Sequence, residues 1–265
     1  MVLEQSFFIC PVCKSRLFKM TGILKCMNGH CFDISKEGYV NLLMSNAHGK
    51  RHGDDKLMVK SRKEFLDKGY YSVLRDKLSA ILGKDQTVLD SGCGEGYYTS
   101  ALAENNRVLG IDISKDALKF AAKRCHNAEF AVASVSDIPL PSDSVDAVVN
   151  IFAPDSPEEF LRILKKGGRY ISVTPMENHL FALKSVVYDK PYINPKPSIS
   201  REGFSLISSE EIKYKIRLNC NEDIISLFKM TPYYYKTSKT DQEKLERIDS
   251  LITEIEFLVC EYEKL

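Results

Sequence analysis

Residues 87–103, Thr-Val-Leu-Asp-Ser-Gly-Cys-Gly-Glu-Gly-Tyr-Tyr-Thr-Ser-Ala-Leu-Ala, constrain the fold of this chain more than any other stretch. A short apolar run leads to Asp90, glycines follow at 92, 94 and 96, and apolar residues at helical spacing resume through Ala101 and Leu102. That order predicts a strand, a tight turn and a helix. The glycines let the chain reverse sharply and let a ligand approach bare backbone, which a side chain would obstruct. Residues 106–114 predict a second buried strand ending at Asp112, 22 residues after Asp90. An acid there can accept hydrogen bonds from both hydroxyls of a ribose, so the whole order points to an adenosyl ligand.

A dinucleotide fingerprint, Gly-x-Gly-x-x-Gly, would require glycine at position 97, where this chain has Tyr97. The Gly-x-Gly-x-Gly spacing instead resembles the first motif of class I S-adenosylmethionine-dependent methyltransferases. Further matches follow in order: residues 136–146, residues 148–154 with Phe152-Ala-Pro154, and residues 164–173, read as a helix ending in a Gly-Gly turn before another strand. The fold expected is α/β, a class I methyltransferase Rossmann-like sheet with a small N-terminal zinc-binding domain.

The zinc expectation comes from Cys10-Pro-Val-Cys13 followed by Cys26-Met-Asn-Gly-His30. Each half is a knuckle whose turn points two ligands inward, and four N/S ligands satisfy tetrahedral zinc with no position left for water. Such a site holds up a small fold and does not catalyse. A redox thiol pair is disfavoured because no thioredoxin-like strand and helix flank Cys10. Cys31 competes with His30 for the fourth place; if His30 takes it, Cys31 is left as a small buried residue.

Phe32-Asp and Gly38-Tyr-Val-Asn-Leu-Leu43 follow the knuckle directly, and residues 62–71, Ile151-Phe-Ala-Pro154, His179-Leu-x-x-Leu-Lys184 and Met230-Thr-Pro232 come later. With these blocks the chain resembles, almost end to end, the large-subunit (23S) ribosomal RNA guanine-N1-methyltransferases. The resemblance implies S-adenosylmethionine and zinc as cofactors, a ribosomal RNA hairpin as partner and a homodimer. It implies cofactor contacts at Tyr71, Asp90, Gly92, Gly94, Glu95, Gly96, Tyr97, Asp112 and His179, with His179 beside the methionine part. Asp137 is expected to accept from the adenine amino group, as in the wider superfamily.

Eight cysteines in a 265-residue chain without a secretion signal argue against a disulfide framework. No segment reaches the roughly 18 uninterrupted apolar residues of a membrane span. A soluble, cytoplasmic protein is therefore expected. The net charge of +1 is unevenly spread, with 12 basic and 7 acidic residues among the first 70 and 25 against 29 in the remainder. A basic N-terminal quarter suits a polyanion, although it also suits a lysine-solubilised surface.

The domains expected are residues 1–40 as the zinc-binding RNA-recognition unit, 41–70 as linker and helix, and 71–265 as the methyltransferase domain. Residues 45–55 are polar and glycine-punctuated, with Lys50, Arg51 and two histidines able to meet phosphates. Helices are expected at 56–66, 72–82, 117–124, 180–188, 223–230 and 241–250. The class I methyltransferase resemblance implies that the final strand, 251–262, lies antiparallel at the sheet edge. Phe152 and Tyr39 are candidate stacking faces for an extruded base, and Asp155 is the nearest acid to Phe-Ala-Pro by sequence. No catalytic base is assigned. A small-molecule methyltransferase and a non-catalytic RNA-binding regulator are the rival readings; the first has little need for a zinc knuckle, and the second would be expected to lose Asp112 or the glycines.

Overall fold

The structure, a computed structural model, describes residues 4–44 and 53–265. The phosphate contacts expected of His48, Lys50, Arg51 and His52 lie outside the described residues. The chain opens with β1 (Glu4–Ile9), β2 (Arg16–Met20), β3 (Ile23–Cys26) and β4 (Cys31–Asp33), an antiparallel sheet in that order. Next come β5 (Tyr39–Asn41), α1 (Lys56–Asp67), α2 (Ser72–Leu82), β6 (Thr87–Ser91), α3 (Tyr97–Leu102), β7 (Arg107–Asp112), α4 (Lys115–Arg124) and β8 (Ala128–Val132). The remainder is β9 (Val145–Ile151), α5 (Pro157–Ile163), β10 (Leu164–Pro175), α6 (Phe181–Val187), β11 (Phe204–Leu218), α7 (Asn221–Lys229), α8 (Lys239–Glu243) and β12 (Leu251–Lys264).

Eight of the strands form one sheet in the order β11-β12-β10-β9-β6-β7-β8-β5. β5 through β10 run parallel, and their central members are apolar on both sides because both faces are covered. The pleat divides the core: Val88, Val108, Ala147, Val149 and Ile171 face α2, α3, α4 and α7, while Leu89, Leu109, Val148 and Tyr170 face the other way. On that second face lie Phe160 and Ile163 of α5 together with Phe8, Leu17 and Leu24 of the N-terminal sheet. The N-terminal unit is therefore built onto the large sheet. Ile9 N donates to Pro139 O at 2.9 Å, Ser6 Oγ donates to Glu129 at 3.0 Å, and β5 pairs with β8 as an edge strand.

Local chemistry accounts for the helix starts near the ligand end of the sheet. Asp55 caps α1 by accepting from Leu57 N and Met58 N, Ser114 caps α4 by accepting from Ala117 N, and Pro157 opens α5. Three expectations change. The final strand β12 is not at the edge: it lies between β10 and β11, because the long β11 pairs with it along its whole length and takes the edge itself. Leu164 already belongs to β10, so the Gly167-Gly168 pair forms an irregularity within that strand and does not end a helix. The helix expected over 241–250 shrinks to α8 and a 3-10 turn at Leu245–Arg247, since Asn221 Nδ2 donates to the Leu245 and Ile248 carbonyls that a longer helix would use.

Candidate active site and metal centre

The carboxyl ends of β6, β7, β9 and β10 open onto a cavity of about 800 Å³, the place where parallel α/β sheets bind ligands. Its floor is the glycine turn. Gly92 and Gly96 are glycines for packing: a Cβ on Gly92 would meet Ala153 Cβ at 2.4 Å, and one on Gly96 would meet Ala121 Cα at 2.9 Å. Gly94 differs, since a Cβ there would find only Arg62 Nη1, at 3.9 Å, and the bare backbone faces the cavity. Asp112 closes this end. Its Oδ2 accepts from Gly94 N at 3.0 Å and its Oδ1 from Ser114 N at 2.7 Å, which fixes the carboxylate beside the turn.

Burial dominates the electrostatics. It pushes the Asp90 carboxyl up to about 7, against the opposing bond from Thr99 Oγ1 at 2.6 Å. It also raises Glu95, with Arg62 as the main counterweight, and raises Asp112 against its two backbone donors. Glu95 Oε1 is buried with no hydrogen-bond partner in the protein. A cavity of this size with an open glycine backbone, a fixed acid and an orphaned carboxylate oxygen fits a ligand bearing hydroxyl and ammonium donors.

At the opposite wall His179 is buried, and burial drives it down to about 3, so the ring is neutral. Its Nδ1 accepts from Glu256 N at 3.2 Å, which places the ring proton on Nε2. Tyr71 and Phe257 hold it, with ring centroids 6.3 Å and 4.8 Å away. Phe152 lies at the mouth, 44% exposed, its ring 5.0 Å from that of Phe257. Phe152 and Leu180 both line the cavity in the left-handed region, φ +56° and +59°. Bulky side chains rarely adopt it, and such backbone strain concentrates at functional sites.

Tyr71, Asp90, Gly92, Gly94, Glu95, Asp112 and His179 thus come together around one cavity. Gly96 and Tyr97 stand behind it, Gly96 against α4 and the Tyr97 ring 5.4 Å from the Arg75 guanidinium. Asp137 does not line the cavity, in contrast to its expected adenine contact: Lys14 of the N-terminal sheet holds its carboxylate at 2.7 Å, and Ser134 and Val135 form the wall instead. Asp155 is likewise turned away, paired with Arg201 Nε at 3.2 Å. Tyr39 packs at the β5 edge against the helical layer.

Arg62 is a cavity residue that a helix expected over 56–66 does not by itself single out. It lies half-buried in the cavity wall, ion-paired with Asp54 and donating to Met230 O at 3.2 Å. The missed signal was its spacing: Met58, Arg62 and Leu66 lie four apart on one face, and all three line the cavity.

In the N-terminal sheet the turns after β1 and β3 bring Cys10, Cys13, Cys26 and His30 together, with ligand atoms all within 4.8 Å of one another. Cys13 Sγ lies 3.8 Å from Cys26 Sγ, and His30 Nδ1 lies 3.4 Å from Cys26 Sγ and 3.6 Å from Cys10 Sγ. Tetrahedral zinc with bonds of about 2.3 Å to sulfur and about 2.05 Å to nitrogen has edges of about 3.8 and 3.6 Å, so the donor set fits zinc. Cys31 points elsewhere. It is exposed, not buried as expected, and its thiol donates to Gly29 O at 3.4 Å.

With this geometry, known proteins can be compared. Residues 88–168 match a family model described as "Methyltransferase domain", and residues 8–50 match one described as "RlmA, N-terminal". A Bacillus halodurans C-125 structure, BH2331, provisionally titled a methyltransferase, aligns with TM-score 0.51 at 16% identity over 72% of this chain and 98% of its own, a likeness of fold alone. Fold and site define an S-adenosylmethionine-dependent methyltransferase of class I carrying an N-terminal zinc ribbon.

Its relatives narrow the class. The chain is 37% identical over 184 residues to a 23S rRNA (guanine(748)-N(1))-methyltransferase of Streptomyces fradiae, covering 66% of this chain and 65% of that one. It is 30% identical over 266 residues to YxjB of Bacillus subtilis (strain 168), provisionally named a 23S rRNA (guanine-N(1)-)-methyltransferase, covering 94% of each. The chain belongs to the 23S rRNA (guanine-N1)-methyltransferase family.

Proposed function

We propose that this enzyme transfers the methyl group of S-adenosylmethionine to N1 of a guanine in an unpaired loop of 23S ribosomal RNA, acting in the cytoplasm. The reading rests on its family membership together with one observation: an adenosyl-type cavity whose mouth presents an exposed aromatic, Phe152, at the end of β9. The cofactor supplies an electrophilic methyl; Asp112, Gly94 and Glu95 are the residues we assign to hold it, with Tyr71 and His179 at the far wall. Phe152 offers a stacking face for a base taken out of its strand, an extrusion that costs less in a loop than in a duplex.

Guanine N1 bears a proton at neutral pH. Of the cavity acids, Asp54, Asp90 and Asp112 are engaged by Arg62, Thr99 and backbone amides, and Glu95 is assigned to the cofactor; Asp155, outside the cavity, pairs with Arg201. We therefore assign proton release to solvent at the open mouth and assign no side chain as base. Neutral His179, its Nε2–H a donor, can bond to an acceptor without adding charge near a cationic cofactor. Rate then comes from holding the two reactants in line and excluding water around the reacting carbon.

We further assign the zinc ribbon to RNA contact, although Lys14 and Lys19 are engaged in ion pairs with Asp137, Glu4 and Glu129. A homodimer, implied by the family resemblance, belongs to the same proposal. The deciding experiment is nucleoside analysis and primer extension on ribosomal RNA from a deletion strain, because an N1 methyl blocks pairing and stops the polymerase. Loss of one stop, restored by the wild-type gene, is expected. An unchanged stop pattern would reject the substrate.

A further inference from the structure

Between α6 and β11 the chain runs through Lys190-Pro-Tyr-Ile-Asn-Pro-Lys-Pro-Ser-Ile-Ser-Arg201, twelve residues without an acid. Residues 191–200 form neither helix nor strand. Pro191, Pro195 and Pro197 fix three of the backbone angles, so the segment is stiff without hydrogen-bonded secondary structure. Asn194 anchors it in the middle. Its backbone N donates to Glu177 O at 2.8 Å, its Nδ2 donates to Met176 O at 2.8 Å, and its Oδ1 accepts from Lys184 Nζ at 3.0 Å and Tyr233 Oη at 3.1 Å.

This anchor gives a use to a residue that the methyl transfer does not employ. Lys184 is almost fully buried, and among the described residues no carboxylate pairs with it. Burying an ammonium is costly unless it does something specific. Here it holds Asn194 and lies 4.9 Å from the Tyr192 ring centroid and 5.6 Å from that of Tyr233. Tyr233 lines the cofactor cavity, so the anchor ties the strap to that wall.

The outer side of the strap is unlike an ordinary loop. Tyr192 is 46% exposed and Ile193 58%, and Ile199 is exposed beyond them. A hollow of about 290 Å³ lies against Asn194, Pro195, Lys196 and Pro197, and it shares Thr174 and Pro175 with the cofactor cavity. Stiff backbone outside helix and strand, exposed aromatic and aliphatic faces and lysines without intervening acids are what single-stranded nucleic acid recognises through stacking and phosphate contact.

We propose that residues 190–200 are a preorganised track for the RNA strand that continues from the target guanine, with the neighbouring nucleotide in the hollow beside Thr174 and Pro175 and phosphates on Lys190 and Lys196. The proposal rests on the RNA-methyltransferase reading above and specifies how the substrate strand leaves that site.

The test is a Lys190→Glu/Lys196→Glu double variant of the full-length zinc-loaded protein, with Asn194→Ala as a second variant that releases the anchor while keeping both charges. A fluorescent RNA hairpin with guanines in its unpaired loop is titrated by anisotropy over a range of KCl, S-adenosylhomocysteine binding is measured by calorimetry, and methylation of the hairpin is followed separately. Expected for the double variant are unchanged S-adenosylhomocysteine binding, roughly tenfold weaker RNA binding at 0.1 M salt, and a log-affinity against log-salt slope shallower by about 1.4, two single-strand phosphates. Asn194→Ala should weaken RNA binding without changing the slope. RNA affinity and slope equal to wild type would overturn the track. So would parallel loss of S-adenosylhomocysteine binding, which would make the strap a structural support. Wild-type protein that fails to bind the hairpin would overturn the track and the RNA reading together. Wild-type protein that binds the hairpin without methylating it, with the double variant weakened as expected, would uphold the track and reject the proposed reaction.

Discussion

His179→Gln should change how stability depends on pH, in an amount that follows from the environment of the ring. Burial lowers His179 from its ordinary 6.5 to about 3 in the folded protein, with nearby Lys184 a lesser cause. Below pH 6.5 the unfolded chain takes up a proton that the folded one refuses. The stability His179 contributes is therefore complete above 6.5 and lost as pH falls toward 3. Linkage puts the loss close to nil at pH 7 and at about 2 kcal/mol at pH 5. Asp90 acts with the opposite sign: raised from 3.8 to about 7, it favours the folded state as pH falls. Between pH 7 and 5 it returns about 2 kcal/mol, which offsets the His179 contribution in the wild-type protein.

The variant exposes the hidden term. Glutamine can still accept from Glu256 N, and the packing lost against Tyr71 and Phe257 is independent of pH. Urea unfolding of both proteins at fixed ionic strength, at pH 7 and pH 5, should show the variant's deficit shrinking by about 2 kcal/mol on acidification. Any acid loss of zinc affects both proteins and cancels. A deficit equal at the two pH values, to within about 0.5 kcal/mol, would mean that His179 titrates normally, contradicting its placement in the wall.

Asp112→Asn leaves one of the Gly94 and Ser114 amides facing an amide NH2, a cost of about 1–3 kcal/mol, and S-adenosylhomocysteine affinity measured by calorimetry should fall roughly ten- to hundredfold. Phe152→Ala should leave that affinity intact while lowering hairpin methylation, since stacking contributes about 1–3 kcal/mol per base; a normal methylation rate would assign Phe152 to packing against Phe257. Purified protein should carry one zinc, and Cys13→Ser should release it and lower the melting temperature of the whole chain, because the ribbon shares a core with the sheet; full metal retention would exclude the Cys10, Cys13, Cys26 and His30 site. Deleting residues 1–40 removes Phe8, Leu17 and Leu24 from that core at about 2 kcal/mol each and strips most of β5, so a loss of about 6 kcal/mol and a largely unfolded product are expected by circular dichroism.

The local sequence determined much of this protein. The run from Thr87 to Leu102 carries its own turn chemistry, so strand, glycine turn and helix are legible without knowing their neighbours. The helix 72–82 follows from apolar spacing alone, and the Cys-x2-Cys and Cys-x3-His knuckles bring their ligands close because each pair is held by a short turn. What tertiary structure decided are relations between residues far apart in the chain. Asp137 sits where superfamily precedent expects an adenine contact, but Lys14, 123 positions earlier, takes its carboxylate once the ribbon lies against the sheet. β12 lost the edge to β11 because the pairing of two long strands is settled between them, whatever either sequence prefers. Arg62 is a surface-type residue whose half-buried place in the cavity wall depends on Asp54 and the Met230 carbonyl meeting it from two other segments. Backbone preference acts over a few residues and is written in the sequence, whereas compensation of buried charge and competition for sheet edges depend on partners that only the folded chain assembles.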